Sequence, residues 1–330
     1  MADHSTELLK RLKVESCPIE YVIDAGSIKY FADSLMDPDP RYRPDSTQSE
    51  GQEDAIPAPV TFFGGAVGLR GLPAGDPRTM SALDLPLPSG WARLATGDEF
   101  DFHAPLRQGM TLMAKERLIG VAEKQGRSGR LIFYSIEKQF STPDGQPILR
   151  RILHCAAREP IPIPAGQAQG YNAPPAGGSG APIPPLTVGP VTVRYLAMFA
   201  SATAEFVDIH YDADYARSLG LPGPIIQGLY KTALIGRMLK DWTGDGARVL
   251  SLNVQHRGMD LADSILTVCG TAGSLTGEST NRHRVCRVRV QNQHGVVTTY
   301  GTALVGQSAG LTDDAMDRLP TEGTKEYRQR

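Results

Sequence analysis

In the stretch EFVDIHYDADYARSLGLPGPIIQGLYKTALIGRML, residues 205–239, Glu205, His210 and Asp212 stand just ahead of a Pro/Gly turn, and a long apolar segment then opens at Gly228. A carboxylate and an imidazole are suited to hold a water and move its proton, because their ordinary pKa values leave one basic and the other able to shuttle near neutral pH. The N-terminus of a buried helix adds partial positive charge and unpaired N–H donors, which suit a developing oxyanion. The same residues also fit a plain helix start with polar residues on its surface. Asp208 and Asp212 in particular read as exposed turn or cap residues.

Such groups need a frame. From Gly228 to about Trp242 the apolar residues Leu229, Ala233, Leu234, Ile235, Met238 and Leu239 cover nearly all sides of a helix, which predicts a buried one. The runs LIFYSIEKQF (131–140) and VCRVRVQ (285–291) alternate as strands with one buried face. Asp144-Gly145 and His294-Gly295 offer the left-handed conformations of tight hairpins. A long buried helix followed by antiparallel strands implies a sheet wrapped around it, the hotdog architecture. The plan occurs twice. IDAGSIKYFADSLMDPDPRY in the first half parallels VTVRYLAMFASATAEFVDIH in the second, and PLRQGMTLMAKERLIGV parallels QHRGMDLADSILTVCGT, where Arg257 is read as opening a strand. The expected fold is α+β, a double hotdog. Its halves are residues 1–159 and 190–307, joined by a Pro/Gly-rich linker at 160–189 and followed by a polar tail at 308–330.

Of the 330 residues 41% are apolar, enough for substantial cores, and the net charge of −2 gives no broad basic field for nucleic acid or an anionic membrane. Four scattered cysteines, Cys17, Cys155, Cys269 and Cys286, have no metal-ligand spacing and read as reduced thiols. The N-terminal residues lack the apolar core of a signal peptide, and no run reaches the length of a membrane span. A cytoplasmic protein without membrane, nucleic-acid or metal partners is expected. The glycines of GGAVGLRG precede no Lys-Ser/Thr pair and make no phosphate loop.

The motif EFVDIHYDADYA resembles the D-x-N-P-x-H signature of the MaoC-like (R)-specific enoyl-CoA hydratases and dehydratases. His210 falls on the family histidine and Glu205 on its aspartate, while Val207 and Asp208 replace the Asn and Pro. IIQGLYKTALIG matches the stretch that opens the hotdog helix, with Gln227 in place of a histidine. In the first half DPDPRY keeps the Asp and Pro but ends in Tyr42 where the histidine would stand, similar to the FAS1-like dehydratase N-terminal domain of two-domain members.

The resemblance implies addition of water to a trans-2-enoyl-CoA, giving an (R)-3-hydroxyacyl-CoA, or the reverse. No cofactor is implied, and a homodimer is. His210 and Glu205 would grip the water and the Gly228 N–H would hold the thioester oxygen, with glycine letting the ligand approach the backbone. Asp208, Asp212, Gln227, Arg257 and Tyr42 complete the candidates for substrate contact, Arg257 toward a coenzyme A phosphate. A tyrosine hydroxyl is no base near neutral pH without a large shift. The first half is therefore expected to be catalytically silent and to widen the pocket for a bulky or branched acyl chain. FFGGAVGLRGLPAGDPRTM, which lacks a clean helix pattern, agrees with an open groove. Two other readings stand beside this one: a hotdog acyl-CoA thioesterase, and a non-catalytic acyl-CoA-binding subunit.

Overall fold

The computed structural model describes residues 4–43, 55–65, 83, 85–126, 129–159, 180–244, 246–277 and 282–307. In chain order the first half has α1 (His4–Leu9), β1 (Ile19–Val22), α2 (Ala25–Ser34), a 3-10 turn (Pro40–Tyr42), β2 (Ala92–Phe102), β3 (Thr111–Gly126), β4 (Gly129–Ser141) and β5 (Pro147–Arg158). The second half has β6 (Ala181–Val188), α3 (Val193–Thr203), a 3-10 turn (Asp208–His210), α4 (Ala213–Ser218), α5 (Gly228–Thr243), β7 (Ala247–His256), β8 (Leu266–Thr276), β9 (His283–Asn292) and β10 (Val297–Gln307).

All ten strands make one sheet in the order β1-β3-β4-β5-β2-β7-β10-β9-β8-β6. Read outward from the central β2–β7 pair, each half repeats the other strand for strand. This is the double hotdog. β2 and β7 pair antiparallel from Gly97↔Gln255 to Asp101↔Ser251, so the halves share a ladder as well as a core. Both hairpin glycines take left-handed backbone, with φ of +92° at Gly145 and +73° at Gly295.

Two parts of the sequence reading change. Ala181–Val188, assigned to the linker on its Pro content, is β6, the edge strand paired with β8 and the counterpart of β1. Proline is tolerated there because an edge strand has N–H positions that need no ladder partner. Arg257 follows the last residue of β7 and opens no strand. The rest of the linker (160–179), the polar tail (308–330) and residues 66–80 of the FFGGAVGLRG segment lie outside the described residues.

The long helix α5 is buried as its composition demands. Leu234, Ile235 and Leu239 are fully enclosed, and the helix packs on β2 as well as on β6, β7, β8 and β9. The capped start of α2, where the Asp24 carboxylate accepts from the Ser27 N–H at 2.7 Å, sets that helix against α3. Phe31 of α2 meets Phe199 of α3 at 5.3 Å between ring centroids, and Phe199 meets Tyr230 of α5 at 5.2 Å. The Tyr230 hydroxyl then donates to the Ser34 carbonyl at 2.8 Å. One apolar cluster thus runs through both halves. Leu234→Ala empties the middle of it and is expected to cost about 2–5 kcal/mol. Denaturant unfolding checks this: the midpoint falls with the slope unchanged.

Candidate active site

The chain leaves α3 through Ala204, whose left-handed backbone (φ +58°) turns Glu205 away from the helix axis. The next residues form the 3-10 turn that ends at His210. Ile209 anchors this turn by burying its side chain with Ala216, Leu219, Leu221 and Ile225, and Val207 packs on the same cluster. Two hydrogen bonds zip the turn to the segment that enters α5. The Ile225 N–H donates to the Ile209 carbonyl at 3.1 Å, and His210 Nδ1 lies 2.7 Å from the Ile225 carbonyl.

A carbonyl can only accept, so Nδ1 carries the proton and Nε2 keeps its lone pair. Burial pushes the His210 imidazole down to about 4, against the smaller upward pull of its bond to Ile225. The ring is a neutral base at physiological pH. Its partner Ile225 stands two residues before Gln227, the N-cap of α5, whose side chain makes no capping bond to the helix.

Glu205 is partly exposed. Its Oε1 accepts from Arg151 Nη1 of β5 at 2.8 Å. Arg151 also grips Asp98 of β2, through Nε at 3.0 Å and Nη2 at 2.8 Å to Oδ1. The other Asp98 oxygen, Oδ2, accepts from the Thr232 hydroxyl of α5 at 3.1 Å and lies 3.2 Å from His256 Nε2. His256 Nδ1 in turn is 3.0 Å from the Thr299 hydroxyl. Burial drives the Asp98 carboxyl up, but Arg151 and His256 outweigh it and hold it below the usual carboxylate range. Burial drives the His256 imidazole down, and Asp98 offsets this only in part. The neutral ring donates from Nε2 to Asp98 and accepts at Nδ1 from Thr299.

Glu205 and His210 therefore come from one short turn at the mouth of α5, and no hydrogen bond ties one to the other. Gly228 opens α5 there, and its surroundings give it a packing role that stands beside the expected oxyanion role. A Cβ on it would stand 2.8 Å from the His256 ring and 3.1 Å from the Ala95 methyl. Close packing of a buried ring requires the glycine, whatever its N–H does. The other candidates have structural partners. Asp208 is exposed and accepts from the Tyr211 hydroxyl at 2.9 Å. Asp212 caps α4 by accepting from the N–H groups of Asp214 and Tyr215. Gln227 is buried and its Nε2 donates to the Leu196 carbonyl at 2.9 Å. Arg257 donates to Gln255 on the surface.

The first half's motif sits at the other end of α5. Asp37 and Tyr42 have the same five-residue spacing as Glu205 and His210, but the helix fills the space between them. Lys240 donates to Asp37 at 2.9 Å and Asp39 at 3.0 Å and lies 5.1 Å from the Tyr42 ring centroid. Burial raises the Tyr42 hydroxyl to about 12. The cavity left there, lined by Asp37, Tyr42, Thr61, Arg237 and Lys240, measures about 10 Å3. That is room for one water at most.

Arg151, Asp98 and His256 were invisible to sequence reasoning. Each is a polar residue in a strand, and only tertiary pairing brings them together.

Comparison with known proteins places the chain. The profile of the FAS1-like dehydratase domain region matches residues 13–151, and that of the MaoC-like domain matches residues 183–290. The chain belongs to the MaoC-like hydratase/dehydratase family in its two-domain form. Over 184 residues it is 28% identical to mesaconyl-C(4)-CoA hydratase of Chloroflexus aurantiacus, a match that spans 52% of this chain and 59% of that protein. A solved MaoC-like dehydratase superposes with a TM-score of 0.70 at 15% identity, covering 92% of this chain and 100% of its own. The MaoC-like dehydratase of Phytophthora capsici does so with a TM-score of 0.61 at 16% identity, covering 92% and 98%. At such identities the likeness is one of fold. Among the described residues no helix is long and apolar enough to cross a membrane.

Two measurements check the site. In NMR titration the His210 ring is expected to protonate near pH 4, far below the ordinary 6.5. Between those values the unfolded chain binds more protons, so the His210 contribution to stability is full above about pH 6.5 and is lost as pH falls toward 4. A midpoint near 6.5 would contradict the half-buried, carbonyl-bound ring. Gly228→Ala forces the methyl into His256 and is expected to cost about 1–3 kcal/mol in equilibrium unfolding.

Proposed function

We propose that the chain catalyses the reversible addition of water to a trans-2-enoyl-CoA thioester, with an (R)-3-hydroxyacyl-CoA as the hydrated form. The observation that carries this reading is the His210 imidazole, held as a neutral base by the Ile225 carbonyl beside the N-terminus of α5. Glu205 and His210 Nε2 hold one water. Its oxygen adds to C3 as it gives up a proton, and a proton is delivered to C2 from the same face. The family resemblance implies that both groups act on one face of the substrate, so that the addition is syn. The Gly228 N–H, at the positive end of α5, takes the charge that builds on the thioester oxygen. Nothing is oxidised or reduced, and the chemistry calls for no cofactor.

In this reading the first half is silent. Its motif is occupied by Lys240 and Arg237, its tyrosine is no base, and its cavity is too small for an acyl group. The widened acyl pocket expected from the sequence finds no support at that spot. A thioesterase would need a carboxylate free to act beside the helix. The acids bonded to the N-terminal turns of α5 are Asp98 and Asp260, and both are buried and bound by cations, Arg151 and Lys231.

The test is a panel of enoyl-CoA esters, linear, branched and dicarboxylic, followed at the enoyl thioester absorbance. The name of the Chloroflexus relative puts mesaconyl-C(4)-CoA first on the panel. Turnover of at least one ester is expected, without thiol release. His210→Ala is expected to lose about 10²–10⁴-fold in kcat while remaining folded. Tight acyl-CoA binding with no turnover across the panel would replace the hydratase by a binding subunit.

A further inference from the structure

Arg151 is 5% exposed, yet its guanidinium bonds two carboxylates from different halves of the chain. Its five N–H donors lie in one rigid plane, so fixing two of them fixes the third contact. Nε and Nη2 are spent on Asp98 Oδ1, and Nη1 points to Glu205 Oε1. The plane cannot swing. The rings of Phe63 and Phe100 lie 5.4 and 5.5 Å from its central carbon. Asp98 cannot swing either, since Thr232 and His256 hold its second oxygen.

We propose that Arg151, anchored by Asp98, is the positioning residue for Glu205, so that the silent first half supplies the fixed cation that aims the carboxylate of the second half at water. The proposal rests on the hydratase reading and adds a residue to it. It explains two features at once. Glu205 has one more methylene than the aspartate of the family signature, and with it more rotamers to restrain. The added length reaches β5, where the restraint is. Val207 cannot supply the hydrogen bond that an Asn would, and Arg151 takes over the task of orienting the carboxylate. Oε1 is committed to Arg151, and Oε2 has no partner among the described residues, which leaves it for the water.

The test is a double-mutant cycle on the full chain. Arg151→Met alone would strand Asp98 as a buried unpaired charge and can unfold the protein. The working variant is therefore Arg151→Met with Asp98→Asn, which removes both charges together, with retained folding checked by thermal unfolding. It is compared with Glu205→Gln and with the triple variant, using the best enoyl-CoA of the panel. Loss of aim costs about a hundredfold in kcat, and KM should change less than about threefold. In the Glu205→Gln background the same pair of changes should cost less than about threefold more, because the group it aims is gone. Unchanged kcat in the folded pair variant overturns the proposal. So does a full hundredfold loss on top of Glu205→Gln, which would mean that Arg151 acts by another route. Either result, with an active wild type and an inactive His210→Ala, leaves the hydratase reading intact. A wild type without turnover on any ester sinks that reading and the positioning role with it.

Discussion

A helix apolar on nearly every side has to be enclosed, and the enclosure of α5 shapes the rest of the molecule. The sheet curves past it, with β2 of the first half joining β6 to β9 of the second in covering it. Its two ends then have opposite fates. At the N-terminus the backbone donors meet a turn that carries Glu205 and His210. Toward the C-terminus Arg237 and Lys240 reach out of the apolar stretch and need acids, which the first half's motif provides in Asp37 and Asp39. One helix thus begins beside one copy of the motif and ends against the other.

Charge enters the core only where geometry answers it. Arg151 donates twice to one oxygen of Asp98, and Thr232 and His256 take the remaining carboxylate oxygen. Lys231 follows the same rule one turn from Gly228: its ammonium donates to the Gly258 carbonyl and to Asp260, whose carboxylate also accepts from Thr298 and Asn292. Burial still pulls the Lys231 ammonium below its ordinary range. These two networks flank the first turns of α5 and tie them to β2, β7 and the loop after β7. A helix N-terminus held so rigidly is a pre-set dipole, which is what a site that stabilises developing charge requires.

The departures from the family signature make local sense against this background. The exchange of Asp for Glu at 205 goes with an arginine on a neighbouring strand. The exchange of His for Gln at 227 goes with a buried amide bond to α3. The Asn position is Val207, which serves the apolar cluster under the turn. The signature differs around His210, whose turn is held by the Ile209 cluster and by the Ile225 carbonyl.

Much of this was legible in the sequence. Period-2 alternation marked β4 and β9, the all-round apolar pattern marked α5 from Gly228, and the doubled plan pointed to two copies of one fold, though not to the single sheet they share. Those features are local and follow from the chain's own periodicity. The position of Glu205 and His210 at the mouth of α5 was readable too, because fewer than twenty-five residues separate them from Gly228. The proline-rich β6 was missed, since composition says loop where an edge of the sheet says strand. The partner of Glu205 was out of reach altogether. Arg151 is more than fifty residues away, and whether a strand residue faces a carboxylate or solvent depends on how two duplicated halves dock. Spacing along the chain set which groups share a turn. Only the folded sheet decided which charges meet inside it, because a buried charge finds its counterion in space and not in sequence.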